Sequence, residues 1–284
     1  MLFRSVKVID GAVACLSLES GRDARLCLQD GQMVHTRLVV AADGAQSAIR
    51  TLSGIESHFT DYEQTAIVGS FHSGKPHRDT AWQWFGEHGI LALLPLPSPA
   101  SPDPDGGRGR VSMVWSAPRL LAEELVALSP DELALRVGAL SGDALGALRP
   151  LSTTAAYPLQ LGRVHSMIGA RLALVGDAAH VIHPLAGQGM NLGFGDVAAL
   201  RDALAEQPDP GARLALRRYE RSRAEPVLAM RLMTDGLQRL FDSRQVARLG
   251  PFAPPFILAR DLGWRMVAAL PVMRRKLAAH ASGL

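Results

Sequence analysis

Lysine is scarce in this chain: only Lys7, Lys75 and Lys276 occur, so arginine carries nearly all the positive side of a net charge of +3 over 284 residues. The arginines are scattered among acids, make no long basic run and have no interleaved aromatics, which excludes a nucleic-acid-binding stripe. Cysteine is almost absent. Cys15 and Cys27 show no metal or redox spacing and read as two free thiols in a reducing compartment. No segment reads as a signal peptide, and no apolar run reaches the length of a membrane span. These absences predict a cytoplasmic protein and leave a peripheral contact at the inner membrane open. What is present is a 48% hydrophobic composition, enough for one or two domains with a sizeable core.

The chain is organised around 171–199, RLALVGDAAHVIHPLAGQGMNLGFGDVAA. Leu172–Val175 is a short apolar run that predicts a buried strand. Gly176-Asp177 leaves it in a tight turn, and Pro184, Gly187, Gln188 and Gly189 make a loop of small residues. Met190, Leu192, Phe194, Val197, Ala198 and Leu200 recur at helical spacing, so a helix is predicted from about Met190. A side-chain-poor loop entering a helix offers free N–H groups and the positive end of a dipole. The Asp177 carboxylate can accept hydrogen bonds from ligand hydroxyls. Together these features suit a polyhydroxylated, electron-rich ligand.

A second strand–turn–helix signal lies upstream. Leu38–Ala42 is apolar throughout and runs into Asp43-Gly44-Ala45-Gln46-Ser47-Ala48-Ile49-Arg50. Asp43 is placed to hold the turn by accepting backbone N–H bonds, Gly44 to allow it, and Arg50 to orient the loop or steer anionic groups.

GDAAHxxxPxxGQGxNxGxxD resembles the second FAD-binding motif of the flavin-dependent aromatic hydroxylases, and LVVAADGAQSAIR resembles their DGxxSxxR motif. The resemblance implies that Asp177, beside Gly176, binds the ribityl chain of FAD. It puts Gly187, Gln188, Gly189, Met190 and Asn191 against the pyrimidine edge of the isoalloxazine. Pro184 would lie near the reacting edge, and Gly189 would help stabilise negative charge on the reduced ring. Asp43, Gly44, Ser47 and Arg50 would sit near the FAD diphosphate and ribityl region. The implied reaction uses NAD(P)H to reduce FAD and O₂ to hydroxylate an aromatic ring. HPLAGQGMNLGFGDVAAL and the run from Trp84 to Pro95 are most similar to the ubiquinone-biosynthesis hydroxylases. That group implies a polyprenylated phenol or benzoquinol substrate and a place in a ubiquinone-synthesis complex.

The implied fold is α/β (α+β), like para-hydroxybenzoate hydroxylase. An incomplete Rossmann-type FAD-binding part takes 1–62 and 162–207. An antiparallel-sheet substrate layer takes 63–161, and a helical region takes 208–284. The strand–GxGxxG–helix unit expected of this family has no counterpart before Leu38, so its ADP-binding half is expected to be missing from the chain. The one formal match, Gly193-Phe194-Gly195-Asp196-Val197-Ala198, falls inside the predicted helix and not after a strand.

The remaining expectations are coarser. Val6–Ile9, Ala12–Leu18, Arg25–Leu28, Thr65–Ser70, Trp82–Phe85, Ile90–Leu94 and Val111–Trp115 read as strands. Pro95–Arg110 reads as a long exposed loop. Ala117–Ala147 and Leu214–Phe241 read as helical, and Leu151–Leu161 as extended. Trp82, Trp84, Phe85 and Trp115 either line an aromatic site or pack between sheet faces. His180 and His183 are a weak metal or general-base pair, and His180 reads as structural. A helix over Phe256–Gly283 with a basic end either lies on an anionic membrane surface or packs on its own domain. Three functions stand: an FAD-dependent monooxygenase of ubiquinone synthesis, a hydroxylase of another aromatic substrate, or a flavin-free subunit of a quinone-synthesis complex.

Overall fold

The computed structural model describes residues 6–18, 23–97, 109–183, 188–205 and 207–241, with the short pieces 246, 250–252, 254–258 and 262. Three sheets organise them. The first is a meander of β1 (Val13–Ser17), β2 (Ala24–Leu28) and β3 (Met33–Thr36), closed by the turn at Asp30-Gly31. Cys15 and Cys27 are cross-strand partners in it. Both are free thiols, and the Cys15 hydrogen bond pushes the Cys27 thiol up from its ordinary value. The expected strand at Val6–Ile9 does not form. Val6 and Val8 are exposed, and among the described residues no strand pairs with them.

The second sheet is small and carries the motifs. β4 (Val39–Ala41) runs parallel to β12 (Leu172–Leu174), and β11 (Ile168–Gly169) pairs antiparallel on the far side of β12. Leu172, Ala173 and Leu174 are fully buried, as a continuous apolar run in a parallel pair requires.

The third sheet has seven strands: β5 (Ser57–Ser73), β6 (Trp82–Gly86), β7 (Gly89–Leu96), β8 (Gly109–Pro118), β9 (Leu148–Pro150), β10 (Ala155–Val164) and β13 (His180–Val181). Its order is β13-β10-β5-β8-β7-β6, with β9 also on β5. β8 runs on to Pro118, so Ala117 and Pro118 are strand rather than the helix start expected for them. Helix α2 (Arg119–Ala127) follows at once. Helix α3 (Pro130–Leu140) begins at a complete capping box, with the Ser129 side chain on the Glu132 N–H and the Glu132 side chain on the Ser129 N–H, worth about 1 kcal/mol. The remainder, 141–147, is turn and coil.

Two large apolar clusters, with two smaller ones beside them, make the core of the described residues. Ile67, Leu91, Leu93, Val111, Met113 and Trp115 on one sheet face pack under Leu125 of α2 and Leu133 and Val137 of α3. Trp115 is buried and its Nε1–H donates to His88 O at 2.9 Å, so it is a core residue. Trp82 and Trp84 stack at 6.1 Å near the edge, with Trp82 partly open. The other large cluster joins Ala41, Ile49, Leu172, Leu174, Ala178 and Leu200 with Leu216 and Tyr219. It lies under α1 (Ala48–Leu52), α4 (Gln188–Leu204) and α5 (Arg213–Phe241). β5 and β10 cross the expected domain boundaries at 62/63 and 161/162, so these long strands join the two halves. No described helix is long and apolar enough to cross a membrane. The expected loop core at 98–108 and most of the C-terminal tail lie outside the described residues.

Candidate functional site

Both motif loops leave the C-terminal ends of the parallel pair β4 and β12, the end at which open parallel sheets bind ligands. The Val175 N–H donates to Ala41 O at 2.9 Å and keeps the two strand ends in step.

After β4, the first loop is closed on itself. Asp43 accepts from the Ser47 hydroxyl at 2.5 Å and from the Ile49 N–H at 3.1 Å. Ser47 is buried, and its oxygen accepts from the Arg50 N–H at 3.0 Å as the cap of α1. Gly44 has φ +83°, a turn conformation that a side chain would strain. Arg50 is buried, lies 5.1 Å over the Phe59 ring, and donates to Ala45 O at 2.7 Å and to Ala178 O at 2.9 Å. It therefore ties the first loop to the second, and its guanidinium does not face an approaching anion. Burial draws its pKa down, against the pull of Asp43.

After β12, Gly176 turns at φ +59°. Asp177 is exposed, and among the described residues its carboxylate has no partner. Ala178 and Ala179 are buried beneath it. Helix α4 starts at Gln188, two residues before the expected Met190. Gly189 has open space around it, while Met190 and Asn191 are exposed on the first turn. Pro184 and Gly187 lie outside the described residues, and of Gln188 only the backbone is described.

What holds the second loop is a buried ionic cluster that the motif reading missed. Asp196, fully buried in α4, accepts from the Gly176 N–H at 2.8 Å and from Arg223 Nε at 2.7 Å, and lies 2.7 Å from His180 Nε2. Burial opposes its ionisation. The bonds from His180, Gly176 and Arg223 outweigh this and hold the carboxyl below its ordinary value. His180 is thereby structural. Two further ties come from α5: the Tyr219 hydroxyl donates to Leu174 O at 2.7 Å, and Glu220 accepts from the Ser166 hydroxyl and the Met167 N–H. Tyr219, Glu220 and Arg223 share one helix face by their spacing. Asp196 falls at the last position of the motif pattern. Those two spacings were the available signal.

The glycines of the false GxGxx[GA] match have packing reasons. A Cβ on Gly193 would meet Gly176 Cα at 3.3 Å, and one on Gly195 would meet the Arg223 guanidinium at 2.9 Å. They let α4 lie against the loop and over the buried arginine.

His183 is separate from His180. It is buried, its Nε2 lies 3.0 Å from Gln64 Oε1, and it meets the Tyr62 ring edge-on at 5.0 Å. Burial pushes its pKa down to about 4. The two histidines bind different partners, and among the described residues no three His, Cys, Asp or Glu side chains group to hold a metal.

These residues fit a flavin. They offer a free carboxylate at a strand end, an open glycine-rich helix start and a braced turn, all on one side of a parallel pair. The FAD binding domain family matches residues 15–233. The chain belongs to that family. Its relatives include the ubiquinone hydroxylase UbiL of Rhodospirillum rubrum, 39% identical over 260 residues, covering 90% of this chain and 56% of the relative. The 3-demethoxyubiquinol 3-hydroxylase of Escherichia coli is 31% identical over 261 residues, covering 90% of this chain and 62% of the relative. Among solved structures, PqsL of Pseudomonas aeruginosa, described as a probable FAD-dependent monooxygenase, aligns with a TM-score of 0.67 at 27% identity. The alignment covers 82% of this chain and 64% of that one. The fold is thus that of the FAD-dependent aromatic hydroxylases, and the chain spans less than two thirds of the length of these relatives.

Proposed function

We propose that this chain carries the ribityl- and isoalloxazine-facing half of the FAD site of a monooxygenase that hydroxylates the ring of a polyprenylated phenol or benzoquinol in ubiquinone biosynthesis, with NAD(P)H and O₂ as co-substrates. The observation that carries the reading is Asp177. Among the described residues of this loop, His180 pairs with Asp196 and His183 with Gln64, while the Asp177 carboxylate is exposed and has no partner, beside the start of α4. It would accept hydrogen bonds from ribityl hydroxyls. The first-turn N–H groups of α4, at Gln188, Gly189, Met190 and Asn191, would face the pyrimidine edge, where their dipole favours negative charge. Pro184 and Gly187 belong to the same reading by their motif positions. Asp43, Gly44, Ser47 and Arg50 would act by bracing the neighbouring turn. FAD supplies the redox chemistry when bound; the protein's part is to bind, orient and exclude water.

The substrate class follows the names of the relatives, a ubiquinone hydroxylase and a demethoxyubiquinol hydroxylase. The sheet face carrying Tyr62, Gln64 and Ala66 runs up to His183, the residue before the 184–187 loop, which supports 63–161 as the substrate layer. A polyprenyl substrate supports work at the cytoplasmic face of the inner membrane, in a ubiquinone-synthesis complex.

The test is the visible absorption spectrum of the purified chain mixed with FAD and passed through gel filtration. Retained flavin bands, lost in Asp177→Ala, are the expected result, and turnover of a quinol precursor with NAD(P)H is then assayed. Flavin retained equally by Asp177→Ala would refute the assigned role. No retained flavin would show that this half-site is insufficient by itself.

A further inference from the structure

On the α5 side of the molecule, two adjoining cavities form one groove between the end of β10 and α5. The inner cavity, about 330 Å³, is walled by Met167, Ile182, Val227 and Leu228, with Ala224 at its side. The outer, about 710 Å³, is polar and includes Glu56, His58 and His165. Arg163, Val164, His165 and Arg231 line both, so the two guanidinium groups stand where apolar wall gives way to polar mouth.

Neither guanidinium group has an ion-pair or hydrogen-bond partner among the described residues. Of the other titratable groups lining the inner cavity, His180 is engaged with Asp196 and Glu220 with Ser166 and Met167, and His165 stands with the two arginines in both cavities. An apolar pocket of this size with a few convergent polar groups is the usual form of a small-molecule site. Arginine forks match the two oxygens of a carboxylate. Two guanidinium groups line the groove with two carboxylates, Glu56 and Glu220, so the formal charge balances, and a monoanion adds less repulsion there than a phosphate dianion.

We propose that this groove binds an amphiphilic carboxylate, its apolar body in the inner cavity and its carboxylate between Arg163 and Arg231. The groove reaches Ala179 and His180 behind the Asp177 loop and Glu220 beside Tyr219, but it uses neither Asp177 nor the start of α4. An effector of this class would bear on His180 and α5, the elements that brace the Asp177 loop.

The experiment is calorimetric titration of the chain with monomeric laurate, with acetate as head group alone and lauryl alcohol as apolar body alone. Saturable one-to-one binding of laurate is expected, with both controls at least tenfold weaker. Arg163→Gln and Arg231→Gln should each weaken laurate about tenfold, as loss of a charge-assisted bond does. Ala224→Trp, at an exposed helix position, should fill the inner cavity and abolish binding. Asp177→Ala should leave it unchanged, which separates this site from the flavin. Circular dichroism checks folding, and if Ala224→Trp misfolds the two arginine variants decide. Laurate affinity unchanged in both arginine variants would overturn the proposal. So would inorganic phosphate competing at equal affinity, or binding to phosphatidylglycerol vesicles without binding of monomeric laurate.

Discussion

Two aspartates follow two adjacent parallel strands, and the molecule uses them in opposite ways. Asp43, after β4, spends both oxygens inside its own loop, on Ser47 and Ile49. Asp177, after β12, spends neither on any described residue, and its loop is held from behind by Asp196, Arg223 and His180. A turn braced by its own carboxylate offers a ligand only the lone pairs that the brace leaves over. A turn braced by a carboxylate from a helix beneath it keeps its own free. The difference teaches that the chemistry of the second loop depends on a residue 19 positions away that never touches solvent.

The comparison breaks hardest at Asp196. Asp196→Asn leaves the buried Arg223 guanidinium and His180 without their anion, a loss of about 3–5 kcal/mol for a broken buried pair. Urea unfolding should show a much lower midpoint, and flavin retention should fall with it. Leu91→Ala, in the apolar core under α2 and α3, should cost about 2–5 kcal/mol by cavity formation. It should leave FAD retention by the folded fraction intact, since none of its neighbours touches either loop. Equal flavin loss in the two variants would mean that Asp196 acts only through global stability.

A pH titration sharpens the same contrast. Burial lowers the folded pKa of His183 from 6.5 to about 4. The unfolded chain therefore binds the proton first as pH falls. The stability due to neutral burial is whole above about pH 6.5 and is lost progressively between 6.5 and 4. Its upper limit is roughly 3 kcal/mol. His183→Gln should flatten the stability-against-pH curve in that window. Asp43→Ala comes next, removing a loop brace worth about 1–2 kcal/mol, and should be read by thermal unfolding.

Much of this arrangement was legible in the chain. Both strand–turn–helix units are local, so apolar runs, glycines and helical spacing located them within two residues. Ser129-Pro130-Asp131-Glu132 announced α3 because a capping box is written in four consecutive residues. What was not legible needed the tertiary fold. Asp196 meets His180 and Arg223 at separations of 16 and 27 residues. Cys15 and Cys27 face each other only through hairpin register. Val6–Ile9 has strand composition but no strand beside it, and an unpaired strand gains no ladder. Arg50 reads in its short motif as a residue that orients the loop or steers anionic groups, and only the fold decides between the two. Its burial depends on Ala178 O, 128 residues on.

The smallest stability effect belongs to Asp177, and it decides the comparison. Asp177→Ala removes an exposed side chain that has no partner among the described residues, so unfolding should change by no more than about 0.5 kcal/mol. Loss of a charged acceptor for a ligand hydroxyl should weaken FAD by roughly tenfold or more, the scale of one hydrogen bond to a carboxylate. Asp43→Ala should show the reverse pattern, costing stability first and flavin only through the loosened turn. Fluorescence titration with FAD beside thermal unfolding, on both variants, measures the two columns at once. If Asp43→Ala loses more flavin affinity than Asp177→Ala at matched stability, the first loop is the one that holds the cofactor, and the free carboxylate after β12 has another ligand.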